Sequence, residues 1–227
     1  MTGDKVACSS LQLKWLETPM TQKPDTKFKR EAERGSHDFK LACKVLDAGK
    51  VCHVGFTLDE QPYVLPMSYA RMGRQLLMHG SVASRLIKNL ASGLRCCVTV
   101  THYDGLVYAR STFNSSMNYR SVMVFGVARL ITDVDEKRLG VQTLVDHLMP
   151  GRRADLRKST TKELNATSLL ALPIETFSTK CRVGPPSDSK SDMDTAVWAG
   201  VVPLELTKGE PVDAPDILPG VTRPDYL

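Results

Sequence analysis

The chain has 227 residues, enough to bury one full core with tails to spare. Hydrophobic residues make up 42% and charged residues 24%, as in ordinary soluble proteins, and no run of about 18 apolar residues exists, so no membrane-spanning helix is expected. The 30 Lys and Arg give a net charge of only +5 and are scattered along the chain, which argues against a nucleic-acid partner.

Residues 1 to about 35 are polar and read as a flexible extension, partly helical at Leu11–Leu16 and otherwise mobile. This start also lacks the continuous apolar core of a secretory signal. Ser36 is placed to cap a helix from about Asp38 to Ala48, with Leu41, Ala42, Val45 and Leu46 on one face and Gly49 as its stop. Val51–Leu58 and Tyr63–Ala70 are strand-like runs joined through Asp59-Glu60-Gln61-Pro62, a hairpin pattern. Pro66 lacks an N–H and belongs at an edge, a bulge or beside a ligand. Gln75–His79 reads as a third strand, and Val82–Ala91 as a helix with Leu86, Ile87 and Leu90 inward.

Leu94–Thr101 and Leu106–Phe113 read as a hairpin about Tyr103-Asp104-Gly105. Tyr119–Val134 is a long strand with Gly126 as a bend, Asp135–Leu148 a helix, and Ser168–Val183 a last strand whose Pro173 again argues for an edge or bulge. Hairpins with only short helices between them favour a small barrel over a βαβ sheet. Gly184–Asp194 is a Pro/Ser/Asp linker. The apolar segment after it is expected to dock back on the core or on a partner, and the four prolines of Pro211–Leu227 imply an extended tail. The domain boundaries that follow are 1–35, 36–183 and 184–227.

Six cysteines stand at positions 8, 43, 52, 96, 97 and 181 with no C-x-x-C pair and no zinc-ribbon spacing. They fit small buried hydrophobes in a reducing cytoplasm better than a redox pair. The five histidines, at 37, 53, 79, 102 and 147, form no i,i+4 pair, so no metal site is assigned, although His53, His79 and His102 are strand positions that a fold can bring together. No G-x-G-x-x-G, P-loop, H-E-x-x-H or G-x-S-x-G motif is present.

Two segments carry more chemistry. RQLLMHGSVASRLIK (Arg74–Lys88) reads as a strand, a tight turn and a helix start, with Ser81, Ser84, Arg85 and Lys88 gathered where an anion would sit; it also reads as a surface loop before an amphipathic helix. NSSMNYR (Asn114–Arg120) can donate several hydrogen bonds to one anion or polyol, or can serve turn geometry alone.

Together with VLPMSYA (64–70), the stretch 98–126 and VWAGVVPLEL (197–206), these segments resemble, in order and spacing, the FMN-binding split-barrel proteins related to pyridoxamine 5′-phosphate oxidase, nearest the nitroimidazole-resistance subgroup. The resemblance covers about 150 residues. It implies a mainly β fold, a six-stranded antiparallel split barrel, and a homodimer with FMN at the subunit interface. By motif, Pro66, Met67, Ser68 and Tyr69 would run along the isoalloxazine ring. His79, Ser81, Ser84 and Arg85, with Lys88, would surround the ribityl phosphate end, and Asn118, Tyr119, Arg120 and Ser121 would form the second flavin-contacting motif. Trp198 would approach the ring region. The residues by which true pyridoxamine-phosphate oxidases hold their substrate phosphate are not evident, so vitamin B6 oxidation does not carry over. The implied activity is an FMN-dependent oxidoreductase fed by a nicotinamide nucleotide or a small molecule. The alternatives are a flavin carrier without catalysis and a haem-binding protein on the same barrel; other members of the family hold the deazaflavin F420.

Overall fold

The computed structural model describes residues 24–227. The helix expected at Leu11–Leu16 and Cys8 lie outside the described residues. Asp38, not Ser36, caps the first helix, α1 (Phe39–Ala48): its carboxylate accepts from Lys40 N at 2.8 Å, while Ser36 Oγ accepts from Asp38 N. Ala42, Val45 and Leu46 are fully buried, as their helical spacing dictates.

Strands β2 (Val51–Leu58) and β3 (Gln61–Met72) form the expected hairpin, tightened to a two-residue turn. Asp59 and Glu60 both take positive φ (50° and 62°), which lets the turn match the right-handed twist of its strands. Strand β1 is the pair Gly35–Ser36, β4 spans Gln75–Ser81, and α2 spans Arg85–Ala91 behind the cap Ser84.

Tyr103-Asp104-Gly105 is not a turn. Strand β5 runs unbroken over Arg95–Tyr108 against β6 (Ser116–Val127), and the register jumps from Tyr103↔Tyr119 to Gly105↔Asn118, leaving Asp104 as a bulge. Gly105 is required there because another strand crosses it: an added Cβ would lie 3.0 Å from the Val202 carbonyl oxygen. The true connection is residues 109–115. The single long strand expected over 168–183 is two, β8 (Thr167–Pro173) and β9 (Thr176–Arg182), because the chain breaks ladder at Pro173 and turns through buried Ile174, whose N–H donates to Arg74 O.

The sheet order is β1-β9-β6-β5-β2-β3-β4-β8-β7, every pairing antiparallel, where β7 is Arg129–Leu130. β8 and β9 lie near opposite ends of that order yet are joined by two residues, so the corner after Pro173 closes the sheet into a barrel. The split barrel is the expected fold, with ten strands among the described residues rather than six. The excess comes from the two-residue strands β1 and β7, the division of the last strand, and β10 (Gly200–Pro203), which pairs with the far end of β5. The apolar segment after the linker thus docks back as expected.

The interior is filled by Cys52, Val54, Leu76, Met78, Val98, Val122, Val124 and Leu172, with α1 and α2 packed against it. Helix α3 (Val134–Leu148) covers the outer surface of β3, β4 and β8 over Ala70, Leu77, Leu169 and Ala171. Gly140 sets that close approach, since a Cβ there would meet Leu169 Cδ2 at 2.4 Å. The described part of the expected extension is tied down: Phe28 packs beneath Gly35, Lys180 Nζ donates to Arg30 O at 3.1 Å, and β1 pairs with β9. The C-terminal tail holds no helix or strand, but Tyr226 folds back so that its hydroxyl accepts from Arg152 and donates to the Asp155 carboxylate.

Candidate functional site

Strand β4 pairs with β3 only over Tyr69–Met72, so the edge of β3 from Gln61 to Ser68 is open on that side. Pro66 is exposed on that open edge, where its missing N–H costs no ladder bond. Beyond the split, β4 carries exposed His79 and Ser81 into α2. Ser81 Oγ accepts from Ala83 N at 3.2 Å, Ser84 Oγ caps Ile87 N, and Arg85 and Lys88 stand exposed on α2. The Arg85 guanidinium lies 5.6 Å from the Tyr63 ring centroid, and Tyr63 stacks on Phe56 at 5.4 Å. Pro66, Ser68, His79, Ser81, Ser84, Arg85 and Lys88 therefore gather around one open strand edge and one cationic helix face. Met67 is half-buried, turned toward the barrel interior.

Tyr69 is a correction. Its side chain is fully buried and its hydroxyl donates to Leu46 O, so it belongs to the core rather than to a ligand face. Alternation along β3 is the reason: Tyr69 points inward with Met67, away from Pro66 and Ser68.

The second motif does not join the first within one chain. β6 is separated from β3 by β5 and β2, which puts Ser121 roughly 14 Å from the β3 edge. Two of its side chains are already engaged. Asn118 is buried, accepting from Arg182 at 2.5 Å and donating to Gly184 O, which pins the linker. Arg120 holds the bulge residue Asp104 in a two-pronged ion pair at 2.8 and 2.7 Å, keeping that carboxyl below its ordinary range. Tyr119 and Ser121 remain half-exposed. Trp198 is 66% exposed and leans on Tyr108 at the β10 end of β5.

The histidines divide into two groups. His102 Nε2–H donates to Val45 O at 2.9 Å and His147 Nε2–H to Gly49 O at 2.6 Å. With Tyr69 they satisfy carbonyls at the C-terminal end of α1, which have no partner within the helix. His37 is bonded to Thr26. His53 and His79 are exposed, and among the described residues no hydrogen bond engages either ring. His53, His79 and His102 do not come together, and among the described residues no group of three His, Cys, Asp or Glu is close enough to hold a metal ion. Burial pushes the Cys52 thiol up to about 12 and Cys96 to about 11, so neither is a thiolate at neutral pH.

One feature escaped the sequence motifs. A cleft of about 1000 Å³ opens beside Tyr63, walled by Phe56, Val64, Cys97, Phe125 and Val127 and reaching Ser92–Gly93 at the end of α2. It exists because the outer row Gly55–Cys97–Phe125 begins with two small side chains. Gly55 inside a strand was the available signal.

Residues 40–181, more than half of the chain, match the family model described as pyridoxamine 5′-phosphate oxidase. The chain belongs to the pyridoxamine 5′-phosphate oxidase family. Among solved structures it is similar to the FAD and heme binding protein of Mycobacterium smegmatis, at 40% identity over 85% of this chain and 95% of that one, with a TM-score of 0.82. The flavocytochrome Anf3 of Azotobacter vinelandii is 38% identical over 88% and 94% of the two chains, with a TM-score of 0.83. A Bacteroides thetaiotaomicron protein assigned to 5-nitroimidazole antibiotic resistance shares the fold at 22% identity over 64% and 85%, with a TM-score of 0.56. No curated protein matches the sequence.

Proposed function

We propose that this protein binds a flavin and a haem and acts as an oxidoreductase. The observation that carries the reading is near-full-length similarity at 38–40% identity to a FAD and heme binding protein and to a flavocytochrome. FMN, which the sequence motifs imply, and FAD share the isoalloxazine and the first phosphate, so the same residues of this chain serve either. Pro66, Ser68 and His79 would border the ring and ribityl chain, and Arg85 and Lys88 would hold phosphate by charge-assisted hydrogen bonds.

The donor set also fits a haem. Iron takes an imidazole as axial ligand, and with His79 beside the flavin, His53 is the exposed histidine left unengaged for it among the described residues. The flavin supplies hydride and single-electron chemistry, and the haem supplies one-electron exchange. The protein's part is to bind and orient them. A homodimer is the fitting assembly: exposed apolar side chains at Val51, Val64 and Met123 lie on the outer face of the barrel, and a second copy would bring Tyr119 and Ser121 toward the first motif. A reducing cytoplasm suits the five free cysteines among the described residues. Electrons would come from a nicotinamide nucleotide docking transiently or from a small-molecule donor; among the described residues no helix is long and apolar enough to cross a membrane.

The test is the absorption spectrum of the purified protein with identification of the released cofactors. Flavin bands and an imidazole-ligated haem band, the flavin bleached anaerobically by NADH or NADPH, are the expected result. A colourless protein that takes up neither added flavin nor haemin refutes the reading. A flavin that dithionite bleaches but neither nucleotide reduces favours a carrier.

A further inference from the structure

We infer that the cleft beside Tyr63 is the seat of this chain's own N-terminal segment, with Leu11, Leu13, Trp15 and Leu16 as the side chains that fill it. The inference does not use the flavin reading. Its first support is the place where the described chain begins. Pro24 is itself one wall of the cleft, so residues 1–23 start from its rim. That start is fixed to the barrel, because Phe28 packs beneath Gly35, Lys180 Nζ donates to Arg30 O at 3.1 Å, and β1 pairs with β9. Trp15 and Leu16 precede Pro24 by fewer than ten residues, so they stay within roughly 30 Å of it.

The second support is what the segment and the cleft offer each other. LQLKWL (11–16) is a dense apolar cluster in a stretch that is otherwise polar. Leu11 and Trp15 share a face on a helix, and Leu11, Leu13 and Trp15 share one on a strand, so either backbone presents the indole together with a leucine. Phe56, Tyr63 and Phe125 offer the cleft's aromatic surface, and Val64 and Val127 its aliphatic surface. An indole buries roughly 150–250 Å² and takes such aromatic walls as partners. At about 1000 Å³ the cleft is at the upper end of small-ligand sites, room for several side chains of a segment. The family match begins only at residue 40, so this strap lies outside the matched part of the chain. With the strap seated, a solute reaches Gly55 and Cys97 only when the segment leaves.

Cys97 reports on the cleft from within, since it lines it and its thiol is free, while Cys43 on α1 and Cys181 on β9 are free, half-buried thiols that do not line it. The experiment is alkylation by iodoacetamide of the protein as purified, of a chain lacking residues 1–23, and of Trp15→Ala, with the rate at each cysteine read by peptide mass spectrometry. Deletion is expected to raise the Cys97 rate at least fivefold and to leave Cys43 and Cys181 within twofold. Trp15→Ala should act on Cys97 in the same direction. A synthetic peptide of residues 1–23 should restore protection to the shortened chain at about millimolar concentration, the range in which a tethered segment acts. If deletion speeds all three cysteines by loss of the fold, Trp15→Ala decides alone. A Cys97 rate unchanged by Trp15→Ala and by deletion overturns the inference. Protection of Cys97 that survives both changes and falls on dilution assigns the cleft to a second copy and overturns it. Protection that survives both and falls when bound cofactor is stripped assigns the cleft to that cofactor and also overturns it.

Discussion

Replacing Tyr69 by Phe separates the two roles that a tyrosine in this motif can have. In the structure its ring is fully buried and its hydroxyl donates to Leu46 O in the last turn of α1. Removing the oxygen leaves the packing of the ring and orphans one buried carbonyl. A net hydrogen bond contributes about 0.5–1.5 kcal/mol, and an unsatisfied buried acceptor raises the cost to roughly 1–3 kcal/mol. For a domain of this size each kcal/mol lowers the melting temperature by about 2–4 °C, so the middle of that range, about 2 kcal/mol, gives a fall of roughly 4–8 °C. Thermal unfolding by circular dichroism measures that shift, and flavin titration measures the other half. The expected result is a lowered melting temperature with flavin affinity unchanged within twofold. An unchanged melting temperature with affinity down tenfold would mean that Tyr69 faces the flavin and that the burial argument is wrong.

Arg85→Ala should weaken FMN and FAD by about ten- to a hundredfold through loss of a charge-assisted hydrogen bond, while riboflavin, lacking the phosphate, binds parent and variant alike; equal FMN affinities would move the phosphate elsewhere. Gly140→Ala forces a methyl to 2.4 Å from the buried Leu169 Cδ2, and overpacking of this kind costs about 1–3 kcal/mol, to be read as a lowered unfolding midpoint with unchanged flavin affinity. His147 is held below its ordinary value of 6.5, chiefly by burial and against the opposing hydrogen bond to Gly49 O. The unfolded chain therefore takes up the proton first as pH falls, so stability present above pH 6.5 is lost progressively below it. His147→Gln should flatten the stability profile below pH 6.5, and a profile parallel to the parent's would show that His147 does not set it.

The barrel was legible because its strands alternate and its turns are short. β2, β3, β4, α2 and α3 lie within a few residues of where periodicity and caps place them. The misreadings share a cause: local turn chemistry was overridden by a distant partner. Asp104-Gly105 has a turn's composition, yet Gly105 is small because β10, nearly a hundred residues later, crosses it. Pro173 marks a corner that looks like a bulge until β4 and β6 are known to hold its two sides. The first motif of the site was legible since its residues are contiguous in sequence. Tyr69 was assigned by motif although its inward parity was already readable from the strand. The cleft was illegible, since it comes from a missing side chain at Gly55 and a small one at Cys97 and is visible only when neighbouring strands are in register.

The corner after Pro173 also dictates an order of events during synthesis. Gln75 in β4 pairs with Pro173 and Ser81 with Thr167, so an edge of β4 waits for a strand made nearly a hundred residues later. At about 5–20 residues per second, that edge stands open on the nascent chain for roughly 5–20 s. All of Pro66, His79 and Arg85 have emerged by then, but the wall behind them has not. The emerging chain therefore carries its ligand-facing residues on an unclosed sheet with a free hydrophobic edge, Leu76-Leu77-Met78, in the interval when aggregation competes with closure. Expression at lowered temperature or with chaperones that shield strand edges acts on that interval rather than on the finished barrel.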